Sequence, residues 1–514
     1  MKILNKSIKL LFSFFIVSIL ILNVKGQIGV PTSRELNQPN WKDDGPFELS
    51  PERGRFALSY TIIEDRSLFF SVSLARFITP DLGYINGKYV SLFAPAVSYL
   101  AIPGYLIGKL LGISQVGAFA TSALFALFNA FLVRGIAKKI GASEIASNIS
   151  ASIFLFASPA FAYSTTLYQH HVSTFLILLS IYVLVAWENL LSVALAWFLF
   201  AASVPVDYPN LFLMIPIVMF SIGKIILIKK DEYFVSIKMN YVNFLLIFVL
   251  ILPLLFFFWF NKISYGNPLQ FSGTVTSIDQ IDKFGNPVQL TPQNDTVQKI
   301  QPEEKQSALN FFKTRNSLNG LYILLVSRER GVLVFTPVML FSVIGMFIFY
   351  KKRIAILPVM IGVIGFNLLL YSMWGDPWGG WAFGSRYMIP SYAIMAILIS
   401  LVLDKFRKRN IFVVIFFLLI SYSVAVNTLG AITTNKIPPK NQAIALEIAN
   451  KSIERYSFDR NWEFLQTHGI RSFVYQNYLS KIITPQKYYF YMTSIIIFVI
   501  WFQLVSLYFN KNEK

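Results

Sequence analysis

The sequence predicts an all-α, polytopic membrane protein with about twelve transmembrane helices. Three observations carry that class. Over 514 residues the chain is 55% hydrophobic and only 14% charged, its mean hydropathy is +0.57, and its basic residues come in short bursts between long apolar runs. A soluble chain carries roughly a quarter charged residues, so most of this surface has to face lipid. The absence of cysteine excludes disulfides, thiolate metal sites and cysteine nucleophiles together. With three histidines, an imidazole-rich metal centre is not expected, although a divalent ion held by oxygen ligands is not excluded.

Apolar runs long enough to cross a roughly 30 Å hydrocarbon core begin near residues 10, 115, 145, 171, 190, 208, 240, 332, 354, 388, 411 and 488. Basic bursts fall at every second boundary. They are Lys2, Lys6 and Lys9; Arg134, Lys138 and Lys139; Lys224, Lys229, Lys230 and Lys238; Lys351, Lys352 and Arg353; Lys405, Arg407, Lys408 and Arg409; and Lys511 and Lys514. Positive charge collects in short cytoplasmic loops. The net charge of +19 is therefore read as a topology signal in the cell membrane, with both termini cytoplasmic, and not as a nucleic-acid footprint. One more run, 89–111, would reverse that parity if it crossed. Its Pro95, Pro103 and Gly104 break it, and it is expected to lie in the outer interface. The first run, LLFSFFIVSILILNV, resembles a signal-peptide core, but no small-x-small cleavage site follows, so an uncleaved first helix is expected. The organisation is then a transmembrane module over 1–428 with outer loops 25–114 and 261–330, an outer loop region over 429–487 with amphipathic stretches such as NQAIALEIANKSIERY, and a final helix with a cytoplasmic tail over 488–514.

This topology places the chemically varied residues on the outer face. Glu48, Glu52, Arg53 and Arg55 sit in PFELSPERGRFALSY, a short helix with Pro51 at its start. There, partial desolvation would raise a carboxylate toward the basicity of a general base; a solvated loop of mixed charge is the plainer alternative, and more so for Asp43 and Asp44. In TPDLGYINGKYVS, Asn86-Gly87 is a turn signal, and Lys88 beside it can meet a lipid phosphate. His170 and His171 are adjacent and so point apart, which suits one as an acid or hydrogen-bond donor and not the two as a chelating pair. Asp207, in PVDYPN, lies at the membrane boundary, where ionisable groups are functional by default. Arg328 and Arg330 bracket Glu329 just before a span; they can clamp a phosphate or snorkel to headgroups. The turn DPWGGWAFGSRY is the densest cluster. Trp378, Arg386 and Tyr387 there are ligand contacts if the glycines admit a close approach, and interfacial anchors otherwise.

Together the strings YINGKYVSLFAPAVSYLAIPGYLIG, FASPAFAYSTTLYQHHVSTF, VPVDYPN, YGNPLQF, SRERGVLVFTPVMLFSVIG and WGGWAFGSRYMIP resemble a prokaryotic membrane-protein group of the GT-C superfamily. That superfamily includes the lipid-phosphate-sugar-dependent protein O-mannosyltransferases and the aminoarabinose transferases of lipid A. The likeness runs over about 51–390. It implies a GT-C-like fold with interfacial helices in the first outer loop, and an acidic residue of that loop acting near the acceptor. Glu52 matches that position, but the acid expected beside it is Pro51 here, which leaves Asp43, Asp44 and Glu48 as rivals. His170 falls where the superfamily often has an aspartate, and Gly384, Ser385, Arg386 and Tyr387 stand where relatives read GPRY.

The activity so implied is transfer of a sugar from a polyprenyl-phosphate donor to an unidentified glycan, lipid or protein acceptor of the cell envelope, with inversion and with an acidic general base. Glu52 would be that base, with His170 and Asp207 as further catalytic candidates, while Lys88, Arg328, Arg330, Trp378, Arg386 and Tyr387 would hold the donor. The partners implied are the lipid-linked sugar, the acceptor and membrane lipids; no cofactor is needed. Two other classes stay open. A transporter would place ionisable groups at mid-membrane, where these spans have almost none, and a lipid- or glycan-binding scaffold would keep the fold without the acids.

Overall fold

The computed structural model describes residues 2–230, 235–239, 241–289, 298–299 and 311–509. Lys511, Lys514 and the tail around them lie outside the described residues. The chain is mainly helical, and a helical segment stands at each of the apolar runs. Five helices are long and apolar enough to cross a membrane: Ser114–Lys139, Leu245–Tyr265, Arg386–Phe406, Asn410–Ile432 and Pro485–Phe509. The other apolar helices are shorter, among them Leu11–Asn23, Glu144–Phe156, His170–Ala186 and Leu190–Ser203, so the expected count of twelve spans is not reached by length. Two runs that read as continuous are broken. Asn210–Leu213 and Ile215–Ile225 part at Met214, and Val332–Phe335 gives way at Thr336 to a 3-10 turn, Pro337–Leu340, because proline disfavours helix in the residue before it.

Helix starts follow local chemistry. Ser143 Oγ accepts the Ala146 N–H at 3.2 Å ahead of Glu144–Phe156, and Asn189 Oδ1 accepts the Ser192 N–H at 3.3 Å ahead of Leu190–Ser203, each satisfying an otherwise orphaned donor. Charged side chains gather at the same end of the bundle as these caps. Arg134 and Lys138 pair with Glu144, Asp404 accepts from Ser143, and Lys224 Nζ donates to the Leu184 and Trp187 carbonyls.

The all-α expectation needs correction, because small sheets are built into the loops, among them those expected on the outer face. Leu82–Ile85 and Lys88–Ser91 form an antiparallel hairpin, Leu82 opposite Ser91 and Ile85 opposite Lys88. Asn86 (φ 51°) and Gly87 (φ 76°) supply the left-handed turn that such hairpins favour. Ser277–Ile278 of the second outer loop adds a third strand against Leu82 and Gly83, which ties the two loops together. A further hairpin, Ile226–Lys230 with Val235–Met239, lies at the other end.

The helix Ala96–Leu110 includes most of run 89–111. It packs on the start of Ser114–Lys139 through glycines: a Cβ on Gly117 would stand 2.1 Å from the Gly104 carbonyl oxygen and 2.9 Å from Gly108 Cα. Small residues let two backbones approach this closely. Its first N–H, on Ala96, donates to Pro205 O at 2.8 Å, and Gly112, just beyond its end, accepts from Gly29 N–H at 2.8 Å. Both its ends therefore meet loop segments on the face that carries the site. In the third outer loop the amphipathic stretch is helical over Lys440–Asn450 and stops at Lys451, whose φ is 53°.

Candidate active site

Two turns and a helix converge at this end of the bundle. In VPVDYPN, Pro205 and Pro209 interrupt helix on either side of Asp207, whose N–H donates to Ser203 O at 3.1 Å. Asp207 is thereby presented at the tip of a tight turn. In DPWGGWAFGSRY, Gly379, Gly380 and Gly384 all have positive φ, and Tyr163 Oη accepts the Phe383 N–H at 3.0 Å. That brings Arg386 and Tyr387 back over the bundle, where Tyr387 stacks on Tyr371 with ring centroids 4.1 Å apart. The third contributor is the helix Ser50–Tyr60, whose residues Pro51 and Arg55, four apart, share a face.

Between them lies a cavity of about 480 Å³, lined by Pro51, Arg55, Gln169, Asp207, Arg386 and Tyr387 at its polar end. Aromatic side chains make up much of the remaining wall: Phe93, Tyr208, Phe212, Phe271, Phe311, Phe312, Tyr371 and Trp374. Its polar groups are connected. Arg55 Nη2 donates to Gln169 Oε1 at 2.6 Å, and Gln169 Nε2 donates to Asp207 Oδ2 at 3.3 Å. The guanidinium of Arg55 lies 4.6 Å from the Phe93 ring centroid, and that of Arg386 lies 5.4 Å from those of Tyr168 and Tyr387. Around this end Nε of Arg55, Nε of Arg386, the Tyr168 hydroxyl and Nε2 of His170 are buried without a hydrogen-bond partner. Buried polar atoms are normally paired; of these four, Arg55 and Arg386 belong to the cavity lining, and Tyr168 and His170 stand behind it. Burial pushes the Asp207 carboxyl up to about 6, against the pull of Arg55, Gln169 and Arg386.

The structure divides the residues singled out in sequence. Asp207, Arg386 and Tyr387 line the cavity. His170 stands behind it, its ring 5.2 Å from Tyr163 and 6.2 Å from Tyr387. Its neighbour His171 is bonded to Asn129 and the Ala160 carbonyl. Glu52 is fully buried and not among the lining residues. Its Oε1 accepts the Leu49 N–H at 2.8 Å, closing the start of its own helix. Burial, with Glu48 beside it, pushes Glu52 up to about 8. Burial acts on Glu48 too, but Lys25 at 3.3 Å, Arg471 at 3.8 Å and the Asn435 N–H outweigh it and hold that carboxyl below its ordinary value.

Four proposed donor contacts lie elsewhere. Lys88 is exposed on the hairpin with its ammonium over the Phe69 ring. Arg328 is 73% exposed and 3.6 Å from Asp459. Arg330 is wholly buried, its guanidinium bonded to the carbonyls of Glu329, Trp378, Gly380 and Ile437 at 2.8 to 3.0 Å. A guanidinium bound in this way braces the glycine-rich turn and is not free to grip phosphate. Trp378 supplies one of those carbonyls and is not among the lining residues, whereas Trp374 lines the cavity. Sequence reasoning missed Gln169, next to His170, and gave Arg55 no role although it lies one turn after Pro51. Among the described residues no three His, Asp or Glu side chains gather as a metal site would need.

No protein-family model and no curated protein matches the chain. Among solved structures it is similar to ArnT from Cupriavidus metallidurans bound to undecaprenyl phosphate, at 10% identity and TM-score 0.46 over 98% of this chain and 77% of that one. It is also similar to the Archaeoglobus fulgidus oligosaccharyltransferase AglB in complex with an inhibitory peptide and a dolichol-phosphate, at 14% identity and TM-score 0.43 over 90% of this chain and 59% of that one. TM-scores below 0.5 leave the functional reading to the site's own geometry.

Proposed function

We propose that the chain is a membrane glycosyltransferase that moves a sugar from a polyprenyl-phosphate donor to a hydroxyl of a cell-envelope acceptor. The observation that supports this reading best is the pairing, in one cavity, of a carboxylate with two guanidinium groups against an aromatic wall. The donor's phosphate would sit at Arg55 and Arg386, whose unpartnered Nε–H groups can donate to it, and its prenyl chain along the apolar side. Asp207, with a pKa of about 6, is mostly ionised at neutral pH and can accept a proton. As the acceptor oxygen attacks the anomeric carbon, its proton passes to Asp207 and the bond from that carbon to the phosphate oxygen breaks. The departing oxygen gains negative charge, which the arginines stabilise most at that moment. A single displacement of this kind inverts the anomeric centre.

Asp207 is preferred over Glu52 as the base for two reasons. It lines the cavity and Glu52 does not, and a carboxyl at about 8 holds its proton at neutral pH. Gln169 holds Asp207 and Arg55 in a fixed relation, as a positioning residue. The reading is tested with purified protein in nanodiscs, radiolabelled polyprenyl-phosphate hexoses and a cell-envelope extract. Label moving from the lipid to an extract component supports it, and label that stays on the lipid with every donor and extract tried overturns it.

A further inference from the structure

A second cavity, of about 360 Å³, opens on the outer loops and is lined by Phe69, Tyr84, Lys88, Tyr89, Ser71 and Asn286, with glycine and proline of the second loop closing it. It is built from both loops. Phe70 N–H donates to Tyr89 O at 3.0 Å, and the Tyr89 hydroxyl donates to Gly285 O at 2.6 Å. Tyr84 and Tyr89 lie with ring centroids 5.2 Å apart, and the Lys88 ammonium is 4.1 Å from the Phe69 centroid. Among the described residues no carboxylate pairs with Lys88. The nearby Asp282 carboxylate is taken up in its own turn, accepting from the N–H groups of Phe284 and Asn286 and from Asn286 Nδ2. Arg76 donates to the Asp282 and Lys283 carbonyls alongside, which sets a second cation beside the Asp282 carboxylate.

Among the described residues the lining thus offers ring faces, small polar groups and Lys88, a cation that stands over the Phe69 ring and has no carboxylate partner. Ring faces suit the C–H faces of a sugar, Ser71 and Asn286 suit hydroxyls, and Lys88 suits a carboxylate or phosphate substituent. Position adds the second argument. The strand Lys88–Ser91 runs directly into Leu92 and Phe93, which line the active-site cavity; at about 3.3 Å per extended residue they lie at most roughly 13 to 16 Å along the chain from Lys88.

We propose that this cavity is a subsite for the remote part of the acceptor, and that the acceptor is an anionic oligosaccharide or a lipid or protein carrying one. The assignment as an acceptor subsite rests on the transfer reading above; the binding of an anionic saccharide does not. Contact far from the reacting hydroxyl would hold the acceptor in register with Asp207, so binding energy gained here appears as turnover.

The test is calorimetric titration of the full-length protein in nanodiscs with two probes, trigalacturonate and the neutral trisaccharide maltotriose. Trigalacturonate should bind at least about tenfold more tightly than maltotriose, as one charge-assisted contact predicts. Lys88→Ala, at an exposed position, should remove that preference, Lys88→Arg should keep it, and Tyr84→Ala should weaken both probes. Asp207→Asn should leave trigalacturonate affinity within about twofold, which separates this site from the catalytic one. Equal affinity for the two probes, or a preference that Lys88→Ala leaves intact, overturns the proposal. Intact probe binding by a protein that never transfers donor sugar overturns the acceptor role and the transfer reading, and leaves only the binding site.

Discussion

Arg330→Lys keeps the charge and most of the length of a side chain that sequence alone would assign to phosphate. In the structure the guanidinium donates to four carbonyls, those of Glu329, Trp378, Gly380 and Ile437, at 2.8 to 3.0 Å. A lysine ammonium has three donors on one atom and cannot reach oxygens arranged around a planar fork. At least two of these charge-assisted bonds should be lost. At about 1.5 to 3 kcal/mol each, the loss is about 3 to 6 kcal/mol before relaxation. The turn it braces carries Arg386 and Tyr387, so the loss is felt at the cavity through position. Unfolding of membrane proteins is often irreversible, and the readout is therefore the temperature at which half the protein stays monodisperse after a fixed incubation. Arg330→Lys should lower that temperature clearly, and Arg330→Met, which leaves the carbonyls unpaired, should lower it further. Wild-type heat resistance in Arg330→Lys, with polyprenyl-phosphate affinity reduced tenfold or more, would show that the guanidinium faces the ligand and would refute the bracing role.

The pH profile of turnover separates the two candidate bases: with Asp207 raised to about 6, its base form fills as pH rises through that value and kcat levels off above pH 7. With Glu52, at about 8, kcat would still be climbing there, and a continued climb assigns the base to Glu52. Gly117→Ala places a Cβ 2.1 Å from Gly104 O and should cost about 1 to 3 kcal/mol as earlier heat aggregation, whereas Gly223→Ala, with nothing within 4 Å of its Cβ, should match wild type; equal behaviour of the two removes the helix contact from the account. Because the chain has no cysteine, single cysteines can be introduced without background. Those at Asn267 and Ser385 should react with an impermeant thiol reagent added outside, Ser385, which is buried, more slowly, and one at Asn410 only after the membrane is opened. Outside labelling at Asn410 inverts the topology.

The helices were legible because a long apolar run has few alternatives. The Asn86-Gly87 hairpin was legible because its turn is local. The strand Ser277–Ile278 was not, since its pairing with Leu82 and Gly83 joins residues almost two hundred positions apart. The breaks at Met214 and Thr336 lie inside apolar runs that hydropathy alone reads as continuous, although Pro337 is a local signal for the second. At the site, the outer-face argument reached Asp207, Arg386 and Tyr387, which share one cavity. It could not separate Arg328 from Arg330: in SRER the two have the same chemistry, yet one is 73% exposed and the other wholly buried. Trp374 and Trp378 pose the same difficulty four residues apart. Glu52 satisfied the pattern of a first-loop acid, while the buried ion pair of Glu48 with Lys25 beside it depends on Asn435 and Arg471 of the 429–487 region, which no local pattern brings to it.

The claim that sugar transfer occurs at Asp207, Arg55 and Arg386 is tested most directly by one paired measurement on Asp207→Asn and Arg386→Ala. Donor affinity and single-turnover rate are measured together with a labelled polyprenyl-phosphate sugar. A general base contributes about 10² to 10⁴-fold, so Asp207→Asn should lose turnover by that factor with donor affinity within about twofold. Arg386→Ala should bind the donor about ten to a hundred times more weakly, the equivalent of one lost charge-assisted contact. Wild-type turnover in Asp207→Asn together with wild-type donor affinity in Arg386→Ala would contradict the account and move the reaction out of this cavity.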